Sequence, residues 1–424
     1  MKRCLSLLEK RIPQGWKQLQ PSKHDNIVVA MSSGVDSSIA AAIYSSFPNV
    51  RGVYMRNWSN KQNDTKNCDE KDWNDAKKVA KYLNIPIEMV NFEKEYWLDV
   101  FEPMLNNYEL GLTPNPDILC NRYIKFGTLK QKLDEMYGVD NYWLVTGHYS
   151  RILQECRTGQ FELLRGIDSS KDQSYYLSQV KPDIMDRTIL PIGNFYKREI
   201  RQLAKELQLP TADKPDSQGI CFVNNSQRGK FKTFLKEYLP SKPGHIITID
   251  PQSGHKKVWG EHGGLWSYTI GQKVGIPMPQ GDPEYRGTWF VSDKLRDTNE
   301  IMIVRGRDNP KLFRDHVKII DMKWLFPEED LMNIEKTLQE GIQRGDLFLQ
   351  YRSLQEPILV DKYELWKSDQ ATNDKNQYIN QRKNQRKNLE FILTLSCPQR
   401  AMAPGQYGCL YLKNRVIGSG TIIL

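Results

Sequence analysis

Short apolar runs separated by helix-forming segments make up the first half of the chain. Strands are predicted where these runs are rich in valine, isoleucine and other buried-strand residues. The predicted strands are residues 26–31 (NIVVAM), 50–55 (VRGVYM), 87–91 (IEMVN) and 142–146 (YWLVT). Helices are predicted between them at 39–47 and 69–83. Because strands alternate with helices, the pattern predicts an α/β fold whose parallel sheet has helices on both faces.

The pattern changes character after about residue 209. One helix is predicted at 230–238, and from residue 244 onward short strands are punctuated by glycine and proline. These strands are predicted at 245–249, 287–291, 300–304, 347–352, 389–395 and 416–423. Many short strands in succession favour a small β-barrel. Residues 367–387 are rich in Asn, Gln, Lys and Arg without an apolar pattern, which predicts a disordered loop between two strands.

Four segments follow from this organisation. We predict a leader or transit segment at 1–25, an α/β domain at 26–215, a central domain at 216–282 and a β-barrel domain at 283–424 with a polar insert near 367–387. The leader is basic, which fits either a mitochondrial transit segment or a flexible tail. The compartment predicted from it is the mitochondrion, with the bacterial cytoplasm as the alternative.

Bulk composition narrows the class of protein. A chain of 424 residues is too long for one ordinary core, so two or three folded domains are expected. No apolar run approaches the roughly 18 residues that a membrane-spanning helix requires. The 60 Lys and Arg residues exceed the 51 Asp and Glu residues, which gives a net charge of +9. That excess favours a polyanionic partner such as nucleic acid, although a solvated basic surface without a partner is the alternative.

Seven cysteines are widely spaced along the chain. No C-x-x-C pair is present, so neither a zinc ribbon nor a thioredoxin-type site is indicated. Cys4 falls in the predicted tail. The four cysteines predicted to be small buried hydrophobic residues are Cys68, Cys156, Cys397 and Cys409. The remaining two, Cys120 and Cys221, lie in distinctive motifs.

The segment SSGVDSS at 32–38 lies between a predicted strand and a predicted helix. Backbone N–H groups at a helix N-terminus form an anion site, and Gly34 is expected to permit the tight turn there. Ser33 and Ser37 add hydroxyl groups, whereas Asp36 needs a metal ion or an ordered helix cap beside phosphate. The alternative is a serine-rich helix cap without a ligand.

This segment resembles the SGGxDS signature of the PP-loop pyrophosphatases. Ser33 stands where that signature usually has glycine. Members of this superfamily cleave ATP between its α and β phosphates and transfer AMP to a substrate oxygen. They include synthetases as well as tRNA-modifying enzymes, so the loop alone does not identify the substrate.

NPDILCN at 115–121 contains Cys120, and DSQGICF at 216–222 contains Cys221. These two segments resemble the cysteine motifs of the tRNA-specific 2-thiouridylase family, which comprises bacterial MnmA and mitochondrial enzymes. Further blocks that resemble the family follow in order: GHY at 147–149, KDQSY at 171–175, GEH at 260–262, YTIGQ at 268–272 and APGQ at 403–406.

The resemblance implies a fold, an activity and partners. The expected architecture is a Rossmann-like PP-loop domain, a small central domain and a C-terminal β-barrel. The expected activity is that of a tRNA sulfurtransferase, which adenylates O2 of the wobble uridine and then transfers sulfur. The cofactors would be ATP and Mg²⁺ on its phosphates, with no metal site built by the protein. The partners would be tRNAs with Lys, Glu and Gln acceptors and a persulfide donor of a sulfur relay, without a membrane.

The resemblance also assigns roles to individual residues. Cys221 would carry the persulfide, and Asp117 would be the general base. Cys120 would attack the persulfide during transfer or release hydrosulfide from it, and either route would leave the pair as a disulfide. The implied ATP-binding residues are Ala30, Met31, Ser32, Ser33, Gly34, Val35, Asp36, Ser37, Met55 and Gly147. The implied tRNA-binding residues are Asn115, Pro116, Asp117, His148, Lys171, Asp172, Gln173, Tyr351, Arg352 and Gln406.

Three other functions remain open from the sequence. A PP-loop synthetase acting on a small carboxylate would explain the loop but not two cysteine motifs. A 4-thiouridine-type sulfurtransferase would carry a different N-terminal RNA-binding region. The third alternative is a non-catalytic RNA-binding protein. For His148, a helix-capping or polar core position is the alternative to a tRNA contact.

Overall fold

The computed structural model describes seven stretches of the chain. They are residues 10–59, 68–216, 231–250, 252–279, 281–326, 331–367 and 389–423. Cys221 and, apart from Lys367, the predicted polar insert lie outside these residues. Within them, no helix is long and apolar enough to span a membrane.

A five-stranded parallel sheet forms the centre of the N-terminal domain, as predicted. Its strands lie in the order Ile87–Asn91, Val50–Arg56, Asn26–Ala30, Tyr142–Thr146 and Thr188–Ile189. The chain proceeds from the central strand to one edge and later returns to the other side, so the strand order reverses between Asn26–Ala30 and Tyr142–Thr146. Ligands of open α/β sheets bind at the carboxyl ends of the strands at such a reversal.

Helices cover both faces of this sheet. Val29 packs with Ile39 on one face, whereas Val28 packs with Phe101 and Ile124 on the other. The helices are Val35–Tyr44, Cys68–Leu83, Glu93–Tyr96, Glu102–Glu109, Pro116–Leu119, Leu129–Tyr137 and Lys197–Glu206. Two wide-turn π-helical segments, Trp97–Phe101 and Cys120–Thr128, connect neighbouring α-helical segments. Short 3₁₀ turns lie at Ser174–Leu177, Pro182–Arg187 and Pro191–Asn194.

Part of the predicted leader belongs to the fold. Trp16–Lys17 is a short strand that pairs with the strand Ser150–Glu155. The Arg11 guanidinium donates to the Glu199 carboxylate through two hydrogen bonds of 2.7 Å. The prediction of a tail that precedes any structural element is therefore wrong for these residues, because strand pairing and an ion pair hold them against the domain.

A four-stranded sheet follows the N-terminal domain. Its order is Lys256–His262, Gly244–Ile249, Glu300–Arg305 and Trp289–Leu295. The short helix Phe231–Leu235 and the 3₁₀ turn Leu265–Ser267 accompany it. The last two strands of this order were predicted to belong to the barrel. The predicted boundary at residue 283 is wrong, because these strands hydrogen-bond to the central sheet and not to the barrel.

The predicted C-terminal barrel is confirmed and has six antiparallel strands. In order around the barrel they are Phe313–Trp324, Leu389–Arg400, Ile358–Lys367, Leu347–Gln350, Tyr407–Leu412 and Arg415–Ile423, which pairs back with the first. The 3₁₀ turn Pro310–Leu312 and the helix Leu331–Gln343 accompany these strands. The hairpin of Ser150–Glu155 and Phe161–Arg165 extends the barrel sheet at Arg415, which joins the barrel to the N-terminal domain.

Candidate active site

The phosphate loop, residues 31–37, leaves the carboxyl end of the central parallel strand. Its left-handed residue is Ser33, with φ 59°, whereas Gly34 has φ −83° and ψ 161°. The expectation that Gly34 permits the turn is therefore wrong, because any residue adopts its conformation. Ser33 occupies the position where the PP-loop signature has glycine, and its left-handed backbone explains that preference. Its hydroxyl donates to Asp72 at 2.9 Å and accepts from Lys214 at 3.0 Å, which holds the strained residue in place.

The loop presents an uncapped helix N-terminus. Gly34 is the N-cap of the helix Val35–Tyr44, and no side chain accepts a hydrogen bond from the first turn. The Ser37 hydroxyl instead accepts from the Ser32 N–H at 3.1 Å and donates to the Gly34 carbonyl. First-turn N–H groups have no acceptor within a helix, so this end of the helix offers donors to an anion. The serines act within the loop and do not cap the helix, which favours a bound phosphate over a simple cap.

Other residues predicted to bind nucleotide lie beside this loop. Ala30 and Met31 are buried, and the Met31 sulfur lies so close to Gly52 that an added Cβ there would be 2.6 Å away. Met31 therefore faces the sheet with its side chain and has only its backbone available for a ligand. Met55 is half-buried near the end of the neighbouring strand, and its contact with an adenine remains a prediction.

Gly147 brings the next strand end against the phosphate loop. A Cβ on Gly147 would lie 2.7 Å from the Ser37 nitrogen and 2.8 Å from the Asp36 carbonyl carbon. Both are backbone atoms, so only glycine allows this approach. The adjacent His148 ring is 2.7 Å from the Thr146 hydroxyl through Nδ1 and 3.5 Å from the Lys125 Nζ through Nε2. Burial, and then the charge of Lys125, lowers the pKa of His148 well below its ordinary value, so the ring is neutral at pH 7.

Cys120 lies one turn inside a helix whose start is encoded by the preceding motif. The Asn115 side chain accepts a hydrogen bond from the Asp117 N–H at 3.1 Å, and Pro116 occupies the first helical position. Cys120 therefore lies inside the helix and not at its start. Cys120 is 5% exposed and begins the π-helical segment, a geometry often found at functional sites.

Acidic and basic side chains both lie on the helix that contains Cys120. Burial raises the pKa of Asp117 above its ordinary value, and the nearby Lys125 opposes that shift. Arg122 donates to the Gln179 carbonyl at 2.7 Å and is thereby committed to the backbone of another segment. Lys125 is therefore the cation that acts on both Asp117 and His148, on the side of the helix that faces the strand end at Gly147.

The other described cysteines differ partly from expectation. Cys409 is fully buried, as predicted, whereas Cys156 and Cys397 are exposed. The prediction that these two are buried is wrong, because Cys156 lies in the turn that follows the strand Ser150–Glu155 and Cys397 is exposed on a barrel strand.

An ion-pair network that the sequence did not predict surrounds Asp36. Its carboxylate accepts from the Tyr149 hydroxyl at 2.8 Å and from Lys197 Nζ at 2.8 Å to each oxygen. Lys197 also lies 2.9 Å from Asp216, the first residue of the second cysteine motif, and Lys171 lies 3.0 Å from the same carboxylate. Lys197 was missed because 161 positions separate it from Asp36 and no motif surrounds it.

The three residues of the KDQ block, 171–173, which were predicted to contact tRNA, differ in their exposure and contacts. Lys171 is 40% exposed and reaches solvent despite its pairing with Asp216. Gln173 accepts from the Tyr149 N–H, which anchors it beside the site. Asp172 is buried, and its oxygens accept from the Gly166 N–H and the Ser174 N–H and hydroxyl. The contact of Asp172 with tRNA remains a prediction, and its burial indicates a role in holding this loop.

Residues of the barrel and of the central sheet both contact the segment that precedes Asn115. Gly405, with φ 91°, lies so near Thr113 that a Cβ would be 2.8 Å from its nitrogen, and the Thr113 N–H donates to the Pro404 carbonyl. Lys294 from the central sheet donates to the Gly111 carbonyl at 2.9 Å. Burial, with a smaller effect of Arg296, lowers the pKa of Lys294 to about 7.

The predicted tRNA contacts of the barrel lie on this same side. Gln406 follows Gly405 and is half-buried beside the segment that leads to Asn115. Tyr351 is buried, and its hydroxyl donates to the Arg400 carbonyl at 3.2 Å. Arg352 is exposed and bonds to the Ala401 carbonyl. Of these residues, Arg352 and Gln406 are accessible to a polyanion, and all three contacts remain predictions.

Comparison with known proteins places this site in a family. The profile described as "tRNA methyl transferase HUP domain" matches residues 25–225, the "tRNA methyl transferase PRC-barrel domain" matches 232–305 and the "Aminomethyltransferase beta-barrel domain" matches 375–422. The chain is 55% identical over 427 residues to mitochondrial tRNA-specific 2-thiouridylase 1 of Saccharomyces cerevisiae, which covers 99% of this chain and 97% of that protein.

The chain belongs to the tRNA-specific 2-thiouridylase family. Two further members of the family extend the similarity. Mitochondrial tRNA-specific 2-thiouridylase 1 of Schizosaccharomyces pombe is 33% identical over 97% of this chain and 93% of its own length. The MnmA protein of Nitrosomonas europaea is 35% identical over 94% of this chain and 98% of its own length. The family predicted from the two cysteine motifs is thereby confirmed.

Proposed function

We propose that this 2-thiouridylase binds ATP on the phosphate loop and replaces O2 of the wobble uridine in tRNA with sulfur. The observation that carries this proposal is the position of Gly147 and His148. Gly147 touches the phosphate loop, and His148 touches Lys125 in the helix that contains Cys120. The phosphate loop and the helix that contains Cys120 therefore both lie next to one strand end, which supports the proposal.

Activation is needed because C2 of uridine has no leaving group. Attack of the uridine O2 on the α-phosphorus of ATP releases pyrophosphate and leaves AMP bonded to the oxygen. The first-turn N–H groups after Gly34 are suited to the charge of the triphosphate. Gly147 allows the loop to remain close to the strand that leads to His148.

Sulfur transfer follows on the activated carbon. The terminal sulfur of a Cys221 persulfide attacks C2, and AMP leaves with the former carbonyl oxygen. The Cys120 thiolate attacks the inner sulfur of the persulfide, which leaves the terminal sulfur on C2 and a Cys120–Cys221 disulfide. Release of hydrosulfide by Cys120 before the attack on C2 is the other order of these steps. An external thiol reductant then restores both cysteines.

Asp117 is suited to the role of general base. Its raised pKa brings a carboxylate closer to the working pH, which makes proton abstraction more effective. Neutral His148 offers one donor and one acceptor beside the same helix, where a uridine extruded from its stack would lie. Asn115 and Pro116 fix the start of this helix and so the position of both Asp117 and Cys120.

Mg²⁺ is proposed to arrive with ATP. Among the described residues, no group of three or more His, Cys, Asp or Glu side chains is arranged to hold a metal ion. Mg²⁺ typically takes most of its ligands from phosphates and water and one or two from carboxylates. Asp36 is the one carboxylate in the phosphate loop and would be the protein ligand nearest to those phosphates.

The partners and the compartment are proposed on similar grounds. The net charge of +9 and the exposed Arg352 suit a tRNA, with Lys, Glu and Gln acceptors as the proposed substrates. A persulfide donor of a sulfur relay would load Cys221. Mitochondrial placement is supported by the two yeast relatives, both of which are mitochondrial tRNA-specific 2-thiouridylases. A reporter fused to residues 1–25 tests it, since a diffuse cytosolic signal would contradict import through this segment.

Nucleoside analysis tests the proposed activity in cells. Total tRNA from cells lacking this protein is digested, and 2-thiouridine derivatives are quantified by mass spectrometry. Loss of these nucleosides, restored by the wild-type chain and by Cys156→Ser but not by Asp117→Asn, is the expected result. Normal amounts of 2-thiouridine in cells without the protein would contradict the proposal.

A further inference from the structure

Lys197 lies between two carboxylates that belong to different motifs. Its Nζ donates to both oxygens of Asp36 in the phosphate loop and lies 2.9 Å from the Asp216 carboxylate. The side chain is only 12% exposed, and its ammonium group lies 5.4 Å from the centre of the Tyr149 ring. One largely shielded cation therefore connects the proposed nucleotide site with the first residue of the second cysteine motif.

Asp216 is the anchor at the other end of this connection. Lys171 and Arg201 also pair with its carboxylate. Burial alone would raise the pKa of Asp216, but Lys197 and the two other cations together hold it far below its ordinary value, so it is ionised across the physiological range. Cys221 lies five positions after Asp216 in the sequence, and a chain of that length spans at most about 18 Å between Cα atoms.

Nucleotide binding adds charge to this arrangement. The triphosphate of ATP brings several negative charges to the loop that contains Asp36. An ammonium group has three donors, and its attraction is divided among the anions that it contacts. A phosphate beside Asp36 therefore competes with Asp216 for Lys197, and the effect is strong because the side chain is largely shielded from water.

We propose that Lys197 is a positioning residue that couples nucleotide binding on the phosphate loop to the anchoring of Asp216, five residues before Cys221. The inference rests on the ATP-binding step of the proposed function and adds a linkage to it. Bound phosphate weakens the Lys197–Asp216 pair, and that pair weakens phosphate binding by the same factor.

A binding cycle on the full chain tests this linkage without tRNA or a sulfur donor. Isothermal titration measures the Kd of a non-hydrolysable ATP analogue with Mg²⁺ for wild type, Asp216→Asn, Lys197→Met and the double variant. Asp216→Asn is expected to tighten binding by about fivefold, because Lys197 then serves the loop alone. In the Lys197→Met background the same change is expected to alter the Kd by less than about twofold.

Matched controls separate the linkage from general charge and from misfolding. Asp213→Asn removes a carboxylate that is 93% exposed on the same segment, and Lys205→Met removes a lysine that is 67% exposed on the same helix as Lys197. Neither is expected to change the Kd. Lys197→Arg keeps a cation between the two carboxylates and is expected to retain the response to Asp216→Asn.

The outcomes distinguish this inference from the proposed function. Equal tightening by Asp216→Asn with and without Lys197 would overturn the inference, as would unchanged or weaker binding by Asp216→Asn alone. Wild-type protein that does not bind the analogue would contradict the ATP-binding step itself and the inference with it.

Discussion

Replacing Gly147 by alanine examines the contact between the strand end and the phosphate loop. The added Cβ would lie 2.7 Å from the Ser37 nitrogen, 2.8 Å from the Asp36 carbonyl carbon and 3.0 Å from the Ser37 Cα. All three are backbone atoms, so no side-chain rotation relieves the overlap. The loop or the strand end has to move, and both border the proposed nucleotide site.

The expected cost follows from the energetics of overpacking. Adding a methyl group to a tightly packed region costs about 1–3 kcal/mol. If the displacement falls on the loop, the Kd of an ATP analogue rises by about 5- to 150-fold. If it falls on the folded state as a whole, the same energy is lost from stability and lowers the melting temperature.

Titration calorimetry and thermal melting on the same sample separate these two outcomes. Gly275→Ala is the matched control, because a Cβ there would meet nothing within 4 Å. It is expected to leave both the Kd and the melting temperature unchanged. A Gly147→Ala protein with wild-type affinity and wild-type melting temperature would refute the close approach on which the site depends.

Substitutions at three further positions test other parts of the account. Ser33→Ala removes both hydrogen bonds of the hydroxyl but keeps the left-handed backbone, so urea unfolding should show a free energy of unfolding lower by about 1–2 kcal/mol. Ser33→Gly should lower it less, because glycine relieves the backbone strain. Equal losses in the two variants would contradict this explanation. Asp117→Asn should abolish thiolation yet have a higher free energy of unfolding than wild type at pH 7. The raised pKa of Asp117 means that its ionisation destabilises the native wild-type protein as the pH rises, and asparagine avoids this cost. The difference between the two proteins should vanish below pH 3.8, where the carboxyl is protonated in both the folded and the unfolded chain. Lys294→Met should have a higher free energy of unfolding than wild type, and the difference should be largest at pH 7 and below. Because the pKa of Lys294 in the native protein is about 7, wild-type stability rises from pH 7 toward pH 10 and the difference shrinks. A difference that is constant with pH would contradict the buried amine.

The parallel sheet was predictable because its signal is local. Residues 27–30 are apolar on both faces, and the segment rich in serine and glycine that follows marks the end of the strand. The motif NPD likewise encodes a helix start through Asn115 and Pro116, since an N-cap and a first-turn proline act within four residues.

Features that depend on distant partners were not predictable. Trp16–Lys17 is too short to show a period of two, so its pairing with Ser150–Glu155 left no pattern in the sequence. The strands at 289–305 resemble barrel strands, and only their pairing partners assign them to the central sheet. Lys197 and Lys214 approach the phosphate loop from far along the chain, where a lysine is ordinarily a solvated surface residue.

The conformation of the phosphate loop was predicted for the wrong residue. Sequence marks glycine as the residue able to adopt a positive φ, and Gly34 is the only glycine in the segment. The structure places that conformation at Ser33, where the Asp72 carboxylate and the Lys214 ammonium supply compensating hydrogen bonds. Those partners come from two other elements, so the strain and its compensation are visible only in the folded chain.

The central claim is that Cys120 and Cys221 carry sulfur to C2 of a tRNA uridine. Purified protein is incubated with ATP, Mg²⁺, tRNA and a persulfide donor, and the product nucleosides are quantified by mass spectrometry. Wild type and the exposed-cysteine control Cys156→Ser are predicted to form 2-thiouridine with release of AMP and pyrophosphate. Cys221→Ser is predicted to form neither a protein persulfide nor product, and Cys120→Ser to form the persulfide without product. A normal yield of 2-thiouridine from either variant would contradict the account.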